Sequence, residues 1–174
     1  MTEKEVGYLY PADENGNKPI AYYWARTATC SNPSCKAEVP LLKQFYLANT
    51  SSKKVYLNPV INGTDIQFEI KEGTCPIKEG WNKTGNLTCP CCGSVTTSKQ
   101  VKEQSCESQL KEKFIATIVE SHGGKKYQLP SIDLLLPNID YHNEFIPLEM
   151  MTKQTDLISS RGWGINQWYQ MFSS

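Results

Sequence analysis

The sequence predicts an α+β fold in which β-strands predominate. Two runs of alternating apolar and polar residues flank Asn62-Gly63, which is the strongest short-range pattern of a β-hairpin. The aromatic segment at residues 19–29 has the composition of a further strand. Residues 101–114 combine helix-forming side chains with amphipathic spacing and predict a helix. With 174 residues, of which 39% are hydrophobic, the chain has the size of one ordinary domain, or of one domain with a small appended module.

The first half of the chain is predicted to consist mainly of strands. The strand at residues 19–29 is followed by another within residues 39–47. Residues 54–60 and 66–70 form the two arms of the hairpin, because apolar and polar side chains alternate along both. The next stretch, residues 73–88, is polar and rich in Gly and Lys, so it is predicted to be a loop.

The second half begins with the helix at residues 101–114 and then returns to β structure. Residues 114–119 are apolar and β-branched and predict a strand. Gly123-Gly124 supplies a turn from this strand into residues 126–129. We therefore expect the chain to end its β-rich domain with a second hairpin.

The composition changes at residue 130, and this change predicts a domain boundary. Residues 1–129 form the β-rich domain, and residues 130–174 form an extended, proline-rich segment. This segment is predicted to end in a short helix that docks aromatic side chains on another surface. The aromatic residues are Trp163, Trp168, Tyr169 and Phe172.

Two close cysteine pairs are the strongest functional signal in the sequence. Four residues separate Cys30 from Cys35, and two separate Cys89 from Cys92. Each pair is predicted to lie on a tight turn, and four thiolates from two such turns form a tetrahedral zinc site of the ribbon type. Cys91 is an alternative to Cys92, which we prefer because a two-residue spacer and a following glycine then result. The predicted architecture is a set of zinc-ribbon-type β-hairpins with an inserted hairpin and one or two short helices.

A site of this kind would be structural, since four thiolates leave no open position for water. Cys75 and Cys106 would then have no part in it. Seven cysteines without an apolar signal segment favour a cytoplasmic protein with thiols and metal over a disulfide framework. Buried inert thiols, redox chemistry, and a secreted protein glycosylated at its Asn-x-Ser/Thr triplets are the alternatives.

The charge and the missing motifs exclude several functions. The chain has 18 Lys+Arg and 18 Asp+Glu, which argues against a strongly basic nucleic-acid protein. Zinc and four thiolates would bring the net charge to about −2. No apolar run is long enough for a membrane span, and no catalytic or phosphate-binding motif is present.

Four lysines near the second cysteine pair are the candidates for contact with DNA. The same stretch also holds glutamates, so a solvated face of mixed charge is the alternative. The candidate residues are Lys99, Lys102, Lys111 and Lys113.

A combination of motifs extends over nearly the whole chain. Y-W-A-R-T at residues 23–27 precedes C-x-N-P-x-C-x-A-E-V-P-L-L at residues 30–42. K-V-Y-L-x-P-V at residues 54–60 and T-C-P-x-C-G at residues 88–93 follow, and G-x-G-x-x-Q-W-x-x-M-F stands at residues 162–172. Together these motifs resemble the zinc-ribbon region of bacterial and archaeal adenine-specific DNA methylases, which lies between the motif for S-adenosylmethionine and the catalytic motif.

The resemblance implies a module that has no catalytic activity of its own. The module would position DNA or brace the catalytic fold of an enzyme in restriction-modification or phage defence, with DNA and the methyltransferase core as partners. S-adenosylmethionine would bind only to the parent enzyme, since this chain has neither of the two motifs. The alternative function is a structural or protein-docking zinc module that does not contact nucleic acid.

The resemblance also assigns the metal ligands. It implies that the zinc ion is bound by Cys30, Cys35, Cys89 and Cys92. The chain departs from the family pattern at Lys36, where relatives often have glycine. This departure predicts a less relaxed first turn.

Overall fold

The computed structural model describes residues 12–108 and 110–130, together with the isolated positions Lys4, Gly7 and Tyr10. In this part of the chain the fold is β-rich and contains one well-defined helix, α1 (Ser98–Ser108). The prediction of an α+β, β-rich fold is therefore confirmed. Apart from Pro130, the predicted proline-rich segment and its docking helix lie outside the described residues.

The strands form three antiparallel sheets. The first has four strands in the order β10-β9-β1-β2, the second is β3-β4-β5, and the third is β6-β7-β8. The strands are β1 (Pro19–Thr29), β2 (Glu38–Pro40), β3 (Tyr46–Asn49), β4 (Lys54–Asn62), β5 (Asp65–Glu72), β6 (Asn82–Lys83), β7 (Asn86–Thr88), β8 (Val95–Thr96), β9 (Lys111–Ser121) and β10 (Gly124–Gln128).

The centre of the first sheet is the pairing of β1 with β9. The two strands pair from Pro19↔Val119 to Thr27↔Lys111, with irregularities that locally shift the register. Residues 115–119 of β9 are all buried, so both faces of this strand are covered. Four of these five side chains are apolar, and their transfer out of water is favourable. The β-branched side chains also pack well on a pleated surface.

The predicted inserted hairpin is present in the second sheet. Strands β4 and β5 pair in continuous register up to Asn62↔Asp65, and Gly63 adopts a positive φ of 62° in the turn. Ile66 and Phe68 alternate inward along β5, as the sequence pattern predicts. The turn chemistry and the alternation therefore gave the correct register here.

The predicted helix at residues 101–114 is wrong at both ends. Helix α1 begins at Ser98, because Thr97 and Gln100 cap its first turn reciprocally: Thr97 N–H donates to Gln100 Oε1 at 2.9 Å. The helix ends at Ser108, and Lys111 already belongs to β9. The ladder between β9 and β1 overrides the local helix propensity of this stretch.

The predicted loop at residues 73–88 contains two short strands, β6 and β7. They form a hairpin around Thr84-Gly85, and both turn residues have a positive φ, of 51° and 87°. Such a pair of conformations gives the tight turn that matches the twist of two antiparallel strands. Strands of two and three residues have too few side chains to show an alternating pattern, so the sequence could not reveal them.

An aromatic cluster joins the second sheet to the loop before β6. The rings of Phe45 and Trp81 meet edge to face at 5.1 Å, and the rings of Phe68 and Trp81 are tilted at 6.0 Å. All three side chains are buried. Aromatic pairs in this geometry add to the stabilisation from burial alone.

Gly80 lies beside this cluster and generates a prediction about stability. A Cβ atom added there would overlap the main chain at Leu42 and Lys43, which cannot move as a flexible side chain would. We expect Gly80→Ala to lower the free energy of unfolding by about 1–3 kcal/mol, the usual cost of overpacking. Denaturant titration measures the change.

The matched control is Gly123→Ala, since no atom lies within 4 Å of a Cβ added at that turn position. Its effect should stay within about 0.5 kcal/mol. Equal stability of the two variants would contradict the close approach described at Gly80.

Candidate metal centre

The two cysteine pairs lie in equivalent places, each in the connection between two antiparallel strands. Cys30 and Cys35 connect β1 to β2, next to the pair Thr29↔Glu38. Cys89 and Cys92 connect β7 to β8 in the third sheet. Each strand pair therefore presents two thiols at one of its ends.

The main chain of the two turns repeats the same hydrogen bond. Cys30 N–H donates to the carbonyl of Ala37 at 2.9 Å, and Cys89 N–H donates to the carbonyl of Ser94 at 2.9 Å. In both turns the acceptor lies two residues after the second cysteine. The two turns are therefore related by structure, although their spacers differ in length.

The residue directly after the second cysteine has the same unusual backbone in both turns. Lys36 has a φ of 49° and Gly93 a φ of 74°. Glycine adopts this region freely, whereas a lysine pays a steric cost there. The expectation of a less relaxed first turn at Lys36 therefore has a structural basis.

Asn32 accommodates the longer spacer of the first turn. Its side-chain oxygen accepts a hydrogen bond from Ser34 N–H at 3.0 Å, and its carbonyl accepts one from Cys35 N–H at 3.0 Å. A local turn capped by an asparagine side chain thus takes up the additional residues. The wide spacing of this pair is compatible with a compact site.

The four sulfur atoms converge crosswise between the two turns. Cys30 Sγ lies 3.6 Å from Cys92 Sγ, and Cys35 Sγ lies 3.8 Å from Cys89 Sγ. All four atoms lie within 4.8 Å of one another. Four sulfurs at the usual zinc–sulfur bond length of about 2.3 Å would be separated by about 3.8 Å along the edges of a tetrahedron. The four thiols can therefore hold a metal ion.

Backbone N–H groups near the sulfurs favour the thiolate form. Those of Asn32, Ala37 and Ser94 act to lower the pKa of Cys30, Cys35 and Cys92, respectively. At Cys92 the pKa is lowered overall, whereas at Cys30 and Cys35 burial and the neighbouring thiols raise it overall.

The metal-free thiols differ in acidity. Hydrogen bonds from the side chain and backbone of Ser94 lower the pKa of the exposed Cys92 to about 6. Burial raises the pKa of Cys30 to about 12. Because metals bind the thiolate, a metal entering this site displaces protons from the buried cysteines.

Contacts between polar groups also join the two turns. Ser31 N–H donates to Thr96 Oγ1 at 2.9 Å, and the amide of Asn32 donates to Ser94 Oγ at 3.4 Å. Thr96 is fully buried. The sequence carries no signal for these contacts, since a threonine or serine near a cysteine has no distinctive pattern until the fold brings the two turns together.

Helix α1 supports the strand end that enters the first turn. The side-chain amide of Gln104 donates to the Thr29 carbonyl at 2.9 Å and accepts from Thr29 N–H at 2.8 Å. This bidentate contact satisfies the last backbone groups of β1 directly before Cys30. The helix thereby fixes the position of the first cysteine.

The remaining cysteines lie outside the converging group. Burial raises the pKa of Cys91 to about 11, and its sulfur is not among the four that converge. Cys75 is buried, donates its N–H to Tyr46 Oη at 2.8 Å, and contacts the Ile77 carbonyl through its sulfur. Cys106 is exposed on α1. The preference for Cys92 over Cys91 thus agrees with the positions of the sulfurs.

The four candidate lysines lie on two different elements. Lys99 and Lys102 are exposed on α1, where Lys99 Nζ is 3.8 Å from Glu103. Lys111 is on β9 and forms an ion pair with Glu38. Lys113, also on β9, donates to the carbonyl of Ile66. The predicted helix at residues 101–114 included Lys111 and Lys113, and this placement is corrected because both residues lie on β9.

The geometry defines a β-rich domain with a four-cysteine site that can hold a metal ion. No protein-family model matches the chain, and no curated protein or solved structure gives a match either. No helix in the described part of the chain is long and apolar enough to span a bilayer. The arrangement of the site itself is therefore the basis for a functional proposal.

The position of the sulfurs predicts opposite outcomes for two neighbouring substitutions. Cys92→Ser removes a sulfur that lies 3.6 Å from Cys30 Sγ, so we expect the purified variant to lose most of its metal. Cys91→Ser should keep about one equivalent, because the remaining four thiolates complete a closed site. Elemental analysis measures the metal content, and the absorption of the cobalt-substituted proteins reports the number of sulfur ligands. Metal loss in Cys91→Ser alone would reverse the assignment.

The equivalent φ angles predict opposite effects at Lys36 and Gly93. Lys36→Gly relieves a left-handed backbone and should raise the free energy of unfolding of the metal-loaded protein by about 0.5 kcal/mol, after the entropic cost of glycine. Gly93→Ala introduces the strain and should lower it by about 1 kcal/mol. No atom lies within 4 Å of a Cβ at Gly93, so the effect reports backbone conformation alone. Changes of the same sign in denaturant titrations would refute the equivalence of the turns.

Proposed function

We propose that the described domain is a non-catalytic zinc-ribbon module, in which one zinc ion fastens two β-hairpin turns together. The crosswise approach of the four sulfurs carries this proposal. Thiolates are soft ligands that select zinc or iron over calcium and magnesium, and zinc is the usual occupant of a closed tetrahedral site with four sulfurs. Cys30, Cys35, Cys89 and Cys92 would bind it, and the ion would supply structural stabilisation.

The third sheet is the part of the domain that such an ion would stabilise most. Its strands β6, β7 and β8 have only two or three residues each, which is too short for independent stability. Leu87 is its one fully buried apolar side chain on a strand. A metal bond between Cys89, Cys92 and the end of β1 would therefore contribute directly to folding of this region.

Metal removal tests the proposal. We expect a chelator to lower the unfolding midpoint of the chain, and zinc, but not magnesium, to restore it. Hydrogen exchange should show where the loss occurs. The amides of Cys89 and Leu87 should lose protection, while the buried Ala116 of β9 keeps its own.

Two outcomes would sink this proposal. One is a purified chain without zinc whose stability and exchange pattern do not respond to added zinc. The other is iron at one equivalent in elemental analysis, which would assign the site to another metal. The Cys91→Ser variant serves as a matched control with one thiol fewer and all four ligands in place.

We further propose that the module belongs to an adenine-specific DNA methyltransferase, in which it positions DNA or braces the catalytic fold. The motifs in the sequence support this assignment, and the exposed Lys99 and Lys102 offer positive charge directly after the second cysteine turn. The alternative is a zinc module that docks to protein without touching DNA. Lys111 forms an ion pair with Glu38 and Lys113 donates to the Ile66 carbonyl, so the proposed DNA contact rests on the two lysines of the helix. Of these, Lys99 also lies 3.8 Å from Glu103.

The salt dependence of DNA binding distinguishes these functions. If Lys99 and Lys102 contact phosphates, Lys99→Ala/Lys102→Ala should reduce the slope of log affinity against log salt by about 2, because each contact contributes about 0.9. The matched control is Lys125→Ala/Lys126→Ala, which removes the same charge from β10 at the far end of the first sheet. Absence of salt-sensitive binding at tens of micromolar protein, or equal effects of both variants, would favour the docking function.

A further inference from the structure

The four-cysteine site is also a site of reversible oxidation. We propose that a hydroperoxide oxidises Cys92, that Cys92 then forms a disulfide with Cys30, and that this disulfide releases the zinc ion. Such a redox switch acts on the proposed zinc site and therefore rests on that proposed function.

Cys92 is the ligand that a small oxidant reaches first. It is exposed in the structure, whereas Cys35 is half-buried and Cys30 and Cys89 are buried. The thiolate is the reactive form of a cysteine, and a metal ion binds its cysteines in that form. Susceptibility to oxidation follows thiolate character and exposure together. Cys92 combines the two properties and is therefore the expected point of attack.

Cys30 is placed to complete the reaction. Its Sγ lies 3.6 Å from Cys92 Sγ, and the two residues belong to different turns. The sulfurs of a disulfide are about 2.05 Å apart, so the pair must approach by about 1.5 Å. Cys92 lies in the connection between β7 and β8, so this approach moves a turn and leaves the strands in place.

Polar contacts keep the two sulfurs facing each other after the ion has left. The N–H of Ser31, the residue after Cys30, donates to Thr96 Oγ1 at 2.9 Å, and the amide of Asn32 donates to Ser94 Oγ at 3.4 Å. These contacts involve neither sulfur nor metal. The disulfide would therefore join the same two turns that the zinc ion joins.

The oxidation consists of two steps, in which two electrons pass from the two cysteines to the peroxide. The Cys92 thiolate attacks hydrogen peroxide, the O–O bond breaks, and a hydroxyl group is transferred to sulfur as a sulfenic acid. The hydroxide that leaves takes up a proton and becomes water. The Cys30 thiolate then attacks the same sulfur, the S–S bond forms and the S–O bond breaks. The second hydroxide also takes up a proton and leaves as water.

The disulfide removes half of the ligands from the metal. Cys35 and Cys89 remain as thiolates, and two sulfurs do not complete the closed tetrahedron that a structural zinc ion requires. A dithiol reductant reverses the change, because it exchanges with the disulfide and is itself oxidised. All four thiolates are then available to bind zinc again.

Zinc release and disulfide mapping of the full-length, zinc-loaded chain test the switch. We expect one equivalent of hydrogen peroxide to release about one equivalent of zinc, measured with a chromophoric chelator, and to lower the mass by about 2 Da. After the remaining thiols are alkylated, peptide mapping should find Cys30 linked to Cys92. Dithiothreitol with added zinc should restore the original metal content.

Two variants serve as matched controls, since each removes one thiol and leaves all four ligands in place. Cys91→Ser removes the neighbour of Cys92, and Cys106→Ser removes another exposed thiol that consumes peroxide. Both should release zinc and form the same disulfide as the native chain. A disulfide through Cys91, a first disulfide between Cys35 and Cys89, or zinc loss that dithiothreitol does not reverse would overturn the switch.

Elemental analysis before oxidation separates failure of the switch from failure of the zinc module. Zinc that is bound at one equivalent and stays bound after peroxide treatment would overturn the switch alone. A chain that binds no zinc would overturn both.

Discussion

Strand β1 pairs with β9 along most of its length, and this pairing forms the centre of the first sheet, from which the first cysteine turn emerges. One end of β1 leads into Cys30, and α1 holds that end through Gln104. Within the described residues, β2 pairs only with the last three residues of β1, at the end that leads into Cys30. The position of the first cysteine pair thus depends on the end of one long strand.

The candidate metal site combines two turns of unequal length with equivalent main-chain geometry. The same hydrogen bond and the same left-handed residue occur in both, with a lysine in the first turn and a glycine in the second. Polar contacts from Ser31 and Asn32 to the second turn hold the two turns together and so bring the sulfurs close without a metal ion. A site arranged in this way requires little reorganisation on binding, which favours a stable structural centre over a transient one.

The proposed functions depend on different parts of the same domain. A structural ion explains the short strands of the third sheet, which have little core of their own. Contact with DNA would depend on local charge at α1, since the chain as a whole has no excess of cations. The two proposed functions are therefore mutually compatible and can be tested separately.

The sequence alone determined the features that depend on local chemistry. Spacing identified the two cysteine pairs, with Cys91 as an alternative to Cys92, and Asn62-Gly63 with its alternating flanks identified the inserted hairpin and its register. Tertiary structure decided the rest. The end of α1 and the strand at Lys111 depend on pairing with a segment more than 80 residues away, and no local propensity reports such a partner. The choice between Cys92 and Cys91 likewise depended on where Cys30 lies, because neighbouring thiols differ only in the direction in which the folded turn points them.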